Sequence, residues 1–82
     1  MKLPRDIDGD ELARQLSSHY GYCIDHQTGS HQRLSAVISG KTHSITIPRH
    51  KPLRVGTLHG ILKDVAEHRK SNFEQVVVEL FG

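Results

Sequence analysis

This 82-residue sequence has one cysteine, no tryptophan and no long apolar run. Cys23 is its single cysteine, so no internal disulfide can form, and the seven histidines have no zinc-finger partners. The longest aliphatic run is Val76 to Val78, and Asp6 follows closely on the N-terminus without an apolar segment before it. We therefore expect a protein of the reducing cytoplasm that is neither exported nor inserted into a membrane.

The composition is that of an ordinary soluble domain. Hydrophobic residues make up 35% of the sequence, and seven glycines are present. A chain of this length can hold one compact core and no substantial second one, so residues 1–82 are predicted to form a single domain.

Acidic residues are absent from the central part of the chain. Residues 26–63, called the basic segment below, contain no Asp or Glu, five of the seven histidines, and the six cations Arg33, Lys41, Arg49, Lys51, Arg54 and Lys63. Lys and Arg bind phosphates with a gain from counterion release, so this segment predicts a surface for a polyanion, most simply nucleic acid. The alternative is a chance clustering of charges on a solvated face.

Helices are predicted at both ends of the chain. Asp8 and Glu11 form a capping-box pattern that starts a first helix, and Gly21 is a typical left-handed stop. Gly56 and Thr57 are predicted to cap a second helix, whose apolar residues are Leu58, Ile61, Leu62 and Val65. A third helix follows a further capping box from Ser71 to Glu74.

Three short strands are predicted between the first two helices. Residues 22–26 form the first, and Cys23 is expected there as a buried structural thiol among apolar neighbours. Leu34, Ala36 and Ile38 alternate with polar residues in the second, and Ile45 and Ile47 do so in the third. A tight turn at 39–41 joins these two strands. The order α-β-β-β-α-α predicts an α+β two-layer fold with an antiparallel three-stranded sheet and helices on one face.

The other sheet face carries the most informative motif, Gly29-Ser30-His31-x-Arg33. A histidine and an arginine two residues apart on a strand project to the same side. Imidazole can move a proton near neutral pH, and guanidinium can stabilise charge on a reacting phosphate. RNA carries its own nucleophile, the ribose 2′-hydroxyl, so His31 and Arg33 are candidate groups for metal-free RNA cleavage. A histidine that only binds RNA is the alternative.

A second cationic stretch follows the third strand. His50 lies between Arg49 and Lys51 and is a candidate partner acid or base, or alternatively a simple phosphate contact. The residues expected to contact RNA are Ser30, Arg33, Arg49, Lys51, Arg54 and Thr57; for Thr57 an ordinary helix-capping role is the alternative.

The histidine spacing predicts no metal site. No two histidines are four residues apart on a predicted helix, and the basic segment offers no carboxylate to join His31, His43 and His50. We therefore expect no metal and no small-molecule cofactor.

Short motifs in order along the chain resemble one known family. Residues 2–7 read Lys-Leu-Pro-Arg-Asp-Ile, and Leu12, Gly21-Tyr22, Gly29-Ser30-His31, Pro48-x-His50, Gly56-Thr57-Leu58 and Ile61-Leu62-Lys63 follow. This pattern is similar to that of HicA-type toxins, the YcfA-like mRNA interferases. The resemblance runs from Lys2 to about Phe73.

The resemblance implies a double-stranded-RNA-binding-like fold and metal-independent cleavage of mRNA. It also implies that His31 is the catalytic histidine, that His50 is the family's second recurrent histidine, and that a HicB-type antitoxin inhibits the protein. We therefore expect a cytoplasmic endoribonuclease that is the toxin of a toxin-antitoxin pair. A non-catalytic RNA-binding module of the same fold is the second hypothesis, and a protein-interaction domain for an acidic partner is the third.

Overall fold

The computed structural model describes residues 3–4 and 6–82. Its elements are α1 (Gly9–Tyr20), β1 (Cys23–Gln27), β2 (His31–Ile38), β3 (Lys41–Pro48), α2 (Val55–His68) and α3 (Phe73–Phe81). The predicted α+β class and element order are confirmed: this is the α-β-β-β-α order of a double-stranded-RNA-binding-like fold with a third helix added. Lys2 and Arg5, which contribute to the family resemblance, lie outside the described residues.

The sheet is antiparallel with the order β1-β2-β3. Ser39 and Gly40 join β2 to β3 in a two-residue turn with φ of 53° and 77°, the left-handed geometry that matches the twist of a hairpin. The register pairs His31 with Pro48 at one end of the hairpin and Ile38 with Lys41 at the other. The predicted tight turn is therefore confirmed.

The hydrophobic core lies between one face of the sheet and the helices. Its β2 and β3 members obey the alternation that the sequence predicts, with Leu34, Ala36, Ile45 and Ile47 pointing inward. The helices contribute the larger share: Leu12, Ala13, Leu16, Leu58, Ile61, Leu62, Val65, Ala66, Val76, Val77 and Leu80. His31 and Arg33 lie on the opposite, exposed face, as predicted.

The prediction that Cys23 is buried is wrong. Tyr22, just before β1, is fully buried, and the alternation of a strand then turns the Cys23 side chain outward. β1 is an edge strand whose five residues are all exposed, and a bulge between Ile24 and His26 interrupts its pairing with β2. The apolar neighbours of Cys23 in sequence therefore do not surround it in space.

The helix starts differ in detail from the predicted caps. Asp8 is the N-cap of α1 but its side chain makes no capping hydrogen bond, and Arg54 rather than Gly56 or Thr57 occupies the N-cap of α2. In α3 the Asn72 side chain, not Ser71, accepts the hydrogen bond from the Gln75 N–H. Across the described residues, none of the helices is long and apolar enough to span a bilayer.

Candidate active site

A hydrogen-bonded turn positions His31 at the start of β2. The Thr28 hydroxyl accepts a hydrogen bond from the His31 N–H at 3.1 Å, and the Thr28 N–H donates to the His31 carbonyl at 2.8 Å. The backbone of His31 is thus held from both sides while its side chain stays exposed. The imidazole is therefore exposed to solvent at the hydrogen-bonded end of a strand.

Ser30 orients the imidazole of His31. Its Oγ lies 2.9 Å from His31 Nδ1. A hydroxyl both donates and accepts, so Ser30 can pair with Nδ1 in either neutral tautomer and in the protonated ring. No second hydrogen bond to this ring comes from the described residues, which leaves Nε2 available for proton transfer.

The segment that carries His50 is joined to this turn. The Arg49 N–H donates to the Ser30 carbonyl at 2.8 Å, and the Gly9 N–H donates to the His50 carbonyl at 3.0 Å. Gly9 is required for this second contact, because a Cβ there would clash with the Pro48 carbonyl oxygen. The backbone thereby brings the two predicted histidine motifs together at one end of the hairpin.

The two arginines of these motifs are paired with acids from outside the basic segment. Arg33 Nε lies 2.8 Å from Asp25 Oδ1, and Asp25 also accepts a hydrogen bond from the Ser35 hydroxyl. Arg49 binds Asp10 in a bidentate manner, with Nε–Oδ1 3.0 Å and Nη2–Oδ2 3.2 Å. The basic segment contains no acidic residue, but in the folded protein Asp10 and Asp25 lie beside it and pair with two of its arginines.

These pairings lower the pKa of both carboxyl groups. For Asp10 the main cause is the hydrogen bond from Arg49, and for Asp25 it is the hydrogen bond from Ser35, followed by the one from Arg33. Both acids therefore stay ionised at neutral pH and hold their arginines in place. Sequence reasoning missed Asp10 and Asp25, because they contact the basic segment only through the tertiary fold.

The remaining predicted RNA contacts differ in their surroundings. Lys51 and Arg54 are exposed, and neither makes a salt bridge with any residue in the described ranges 3–4 and 6–82. Thr57 is half-buried in the first turn of α2, where the N–H groups of residues 55–57 have no partner within the helix. Free cations and a helix N-terminus thus follow directly after His50.

His31 is exposed on the open face of the sheet. A groove in the described part of the chain lies between α1 and β1, and its walls include Asp10, Cys23, Ile24 and Gln32 but neither His31 nor His50. An exposed reactive group beside unpaired cations suits a long polymer that lies across the surface better than a small molecule that must be enclosed.

Comparison with known protein families identifies the chain. A family model described as the HicA toxin of bacterial toxin-antitoxin matches residues 9–66, more than two thirds of the chain. The chain belongs to the HicA toxin family. No curated protein and no solved structure matches it.

Both histidine motifs lie inside the region that matches the HicA model, whereas α3 lies beyond it. Membership of a toxin-antitoxin family implies that this HicA chain has an antitoxin partner. Ser30, His31 and His50 thus lie in the part of the chain that the family model covers.

One further cluster in this HicA chain was not predicted. His43, Asp64 and His68 each place a ligand atom within 4.8 Å of the others. The signals were present in the sequence: His43 shares the inward parity of Ile45 and Ile47, and Asp64 and His68 are four residues apart on α2. The spacing of the histidines alone does not reveal this cluster, because its third member is the carboxylate of Asp64.

Proposed function

We propose that this HicA toxin is a cytoplasmic endoribonuclease that cleaves mRNA without a metal ion, with His31 as its catalytic group. The observation that carries the proposal is the exposed imidazole of His31, whose Nδ1 is held by Ser30 at 2.9 Å. A ring that is held at one nitrogen and accessible at the other, beside exposed cations, supports the proposal, because general acid-base catalysis needs an accessible proton donor or acceptor.

The proposed reaction uses the nucleophile of the substrate. The ribose 2′-oxygen attacks the adjacent phosphorus and the bond to the 5′-oxygen breaks, which gives a 2′,3′-cyclic phosphate and a 5′-hydroxyl. His31 Nε2 takes the proton from the 2′-hydroxyl or gives one to the leaving 5′-oxygen. The hydroxyl of Ser30 supports the ring in both protonation states, because it can accept from a protonated Nδ1 or donate to a bare one.

The surrounding residues are assigned to charge stabilisation and binding. Arg33 projects from β2 on the same face as His31, about 7 Å further along the strand, and Asp25 fixes its guanidinium. Lys51 and Arg54 bind phosphates of the RNA, together with the amide groups and hydroxyl at Thr57. Arg49 keeps three of its five N–H groups for RNA, since two are used on Asp10.

The family also gives the proposal its biological setting. HicA toxins belong to toxin-antitoxin pairs, and we propose that the partner of this chain is a HicB-type antitoxin. His50 is the second histidine of the proposed site, either as the opposite acid or base or as a phosphate contact.

The deciding experiment replaces His31 by alanine. Loss of one acid-base group costs roughly a hundredfold to ten-thousandfold in rate, so purified His31→Ala should lose cleavage of mRNA and growth inhibition. It should keep its fold and its RNA affinity, because the side chain is exposed and makes its hydrogen bond only to a neighbouring serine. His50→Ala should be comparably inactive if His50 is the partner acid or base, and milder if it only binds phosphate.

His19→Ala is the matched control, since His19 is an exposed histidine on α1 outside the proposed site. Parent-level cleavage by His31→Ala would reject the assignment. RNA binding without cleavage by the parent protein would favour the alternative of a non-catalytic RNA-binding module. Loss of cleavage in excess EDTA would reject the metal-free reaction.

A further inference from the structure

We propose that His43, Asp64 and His68 form a zinc-binding site that joins β3 to the C-terminal end of α2. The three residues come from two elements that the chain brings together only on folding. The site lies outside the surface assigned to RNA cleavage, and the expectation of no metal drawn from histidine spacing does not take it into account.

The fold places the three side chains for local reasons. His43 occupies an inward position of β3, in phase with Ile45 and Ile47, and is only 7% exposed. Asp64 and His68 lie one helical turn apart, so both project from the same face of α2. That face packs over the start of β3, where His43 meets it.

The distances suit a tetrahedral ion. His43 Nε2 lies 3.3 Å from Asp64 Oδ2. Two ligand atoms, each about 2.0 Å from a tetrahedral zinc ion, are separated by about 3.3 Å, so this pair needs no rearrangement to bind one. All three ligand atoms lie within 4.8 Å of one another, and the His68 side chain is exposed, so it has room to adjust its position to an ion.

The packing of the two imidazoles brings His68 to the same place as His43 and Asp64. The rings of His43 and His68 lie edge to face with centroids 3.6 Å apart. The hydrogen bonds that join Tyr22, His43 and Asp64 do not involve His68, although its ring contacts that of His43. Among the described residues, none forms a hydrogen bond with the His68 side chain.

Tyr22 supplies the outer contact that metal-bound histidines require. Its hydroxyl lies 2.7 Å from His43 Nδ1. When Nε2 binds an ion, Nδ1 carries the proton and donates it to this oxygen, which fixes the ring and its tautomer. Tyr22 is itself fully buried, so it holds the imidazole in a rigid position.

The donor set selects the metal. Two imidazole nitrogens and one carboxylate oxygen suit Zn²⁺, whereas Mg²⁺ prefers oxygen ligands in an octahedron. The pocket beside the cluster, which Lys41 and Lys70 also line, leaves room for water as the fourth ligand. Because the two lysines add positive charge to this pocket, we expect the fourth ligand to be water or an anion.

The location makes the site structural. Along β3, His43 is five residues from Pro48, the partner of His31, a separation of about 17 Å. An ion at the cluster would connect sheet and helix without touching the proposed reaction. Zinc should therefore change the stability of the protein, while cleavage in EDTA stays independent of it.

The test is a zinc titration of the full chain after removal of metal with a chelator. Competition with a chromophoric chelator should give one zinc per chain, and zinc at a hundredfold excess over its Kd should raise the melting temperature by roughly 10 °C or more. Asp64→Asn and His68→Ala should each weaken binding by at least about tenfold. Both positions are substantially exposed, so these variants are expected to fold.

His59→Ala is the matched control, because His59 is an exposed histidine of the same helix and should retain zinc binding. Tyr22→Phe should retain the stoichiometry with lower affinity. Equal zinc binding by the parent, His68→Ala and Asp64→Asn proteins would place the ion elsewhere and overturn the proposal. Stabilisation by inorganic phosphate but not by zinc would overturn it as well, since the pocket would then be an anion site.

Discussion

The two tyrosines show how single residues depend on their surroundings. Tyr22 is buried in the core, and desolvation raises its pKa to about 12. Tyr20 lies under the Arg69 guanidinium and donates a hydrogen bond to Glu79, and desolvation followed by this hydrogen bond raises its pKa as well. Both phenols are therefore held in the protonated form in the folded protein.

Because both tyrosine pKa values are raised in the folded protein, the free energy of unfolding is expected to fall at alkaline pH. An unfolded tyrosine has a pKa of about 10, so the unfolded chain ionises first as the pH rises. The stabilising contribution of Tyr22 is fully present below pH 10 and is lost as the pH rises toward 12. With no tryptophan in the chain, tyrosinate absorbance can be followed beside the free energy of unfolding.

Tyr22→Phe should flatten the loss of stability between about pH 10 and pH 12, because it removes one of the two groups that ionise on unfolding. Titration of both tyrosines near pH 10 in the folded protein would contradict the prediction.

At the scale of the elements, the phase of β2 decides which substitutions the fold tolerates. Leu34 is 0% exposed and Val37 is 73% exposed on the same strand. Leu34→Asp would bury an unpaired carboxylate and should lower the free energy of unfolding by more than about 3 kcal/mol. Val37→Asp makes the same chemical change on the open face.

Denaturant unfolding of the two variants tests this phase. Val37→Asp should lower the free energy of unfolding by no more than about 1 kcal/mol, the span of strand propensity, because the side chain is exposed. A similar loss of stability in both variants would show that the outer face of the sheet is covered rather than open.

The elements were predictable because their signals are local. Alternation in β2 and β3, the glycine stop of α1 and the helical spacing of α2 are each visible within a few residues. The burial of Cys23 was mispredicted because a sequence window does not reveal that β1 is an edge strand. The His43 cluster and the pairing of Arg33 with Asp25 join residues from different elements, and only the packing of those elements brings them together.

At the scale of the whole molecule, the distribution of charge controls RNA binding. With about three to five phosphates contacted, affinity for RNA should fall roughly tenfold to a hundredfold between about 50 and 200 mM salt. Asp25→Asn removes the acid that neutralises Arg33, so this variant should bind RNA more tightly and depend more steeply on salt. Filter binding in the His31→Ala background would measure affinity without cleavage.

Glu67→Gln is the matched control for Asp25→Asn, since it makes the same charge change at an exposed position of α2. Its affinity should stay close to that of the parent. A salt-independent affinity would favour a protein partner over RNA for this surface, and weaker binding by Asp25→Asn would mean that Asp25 acts by positioning Arg33.

The contact between Gly9 and His50 has a consequence for the order in which the molecule is assembled. It closes a loop that contains all three strands, and such long closures form late because the intervening chain must first be ordered. A chain still emerging from the ribosome lacks this closure until residue 50 has been released. The His50 end of the proposed site therefore forms only once the sheet is complete.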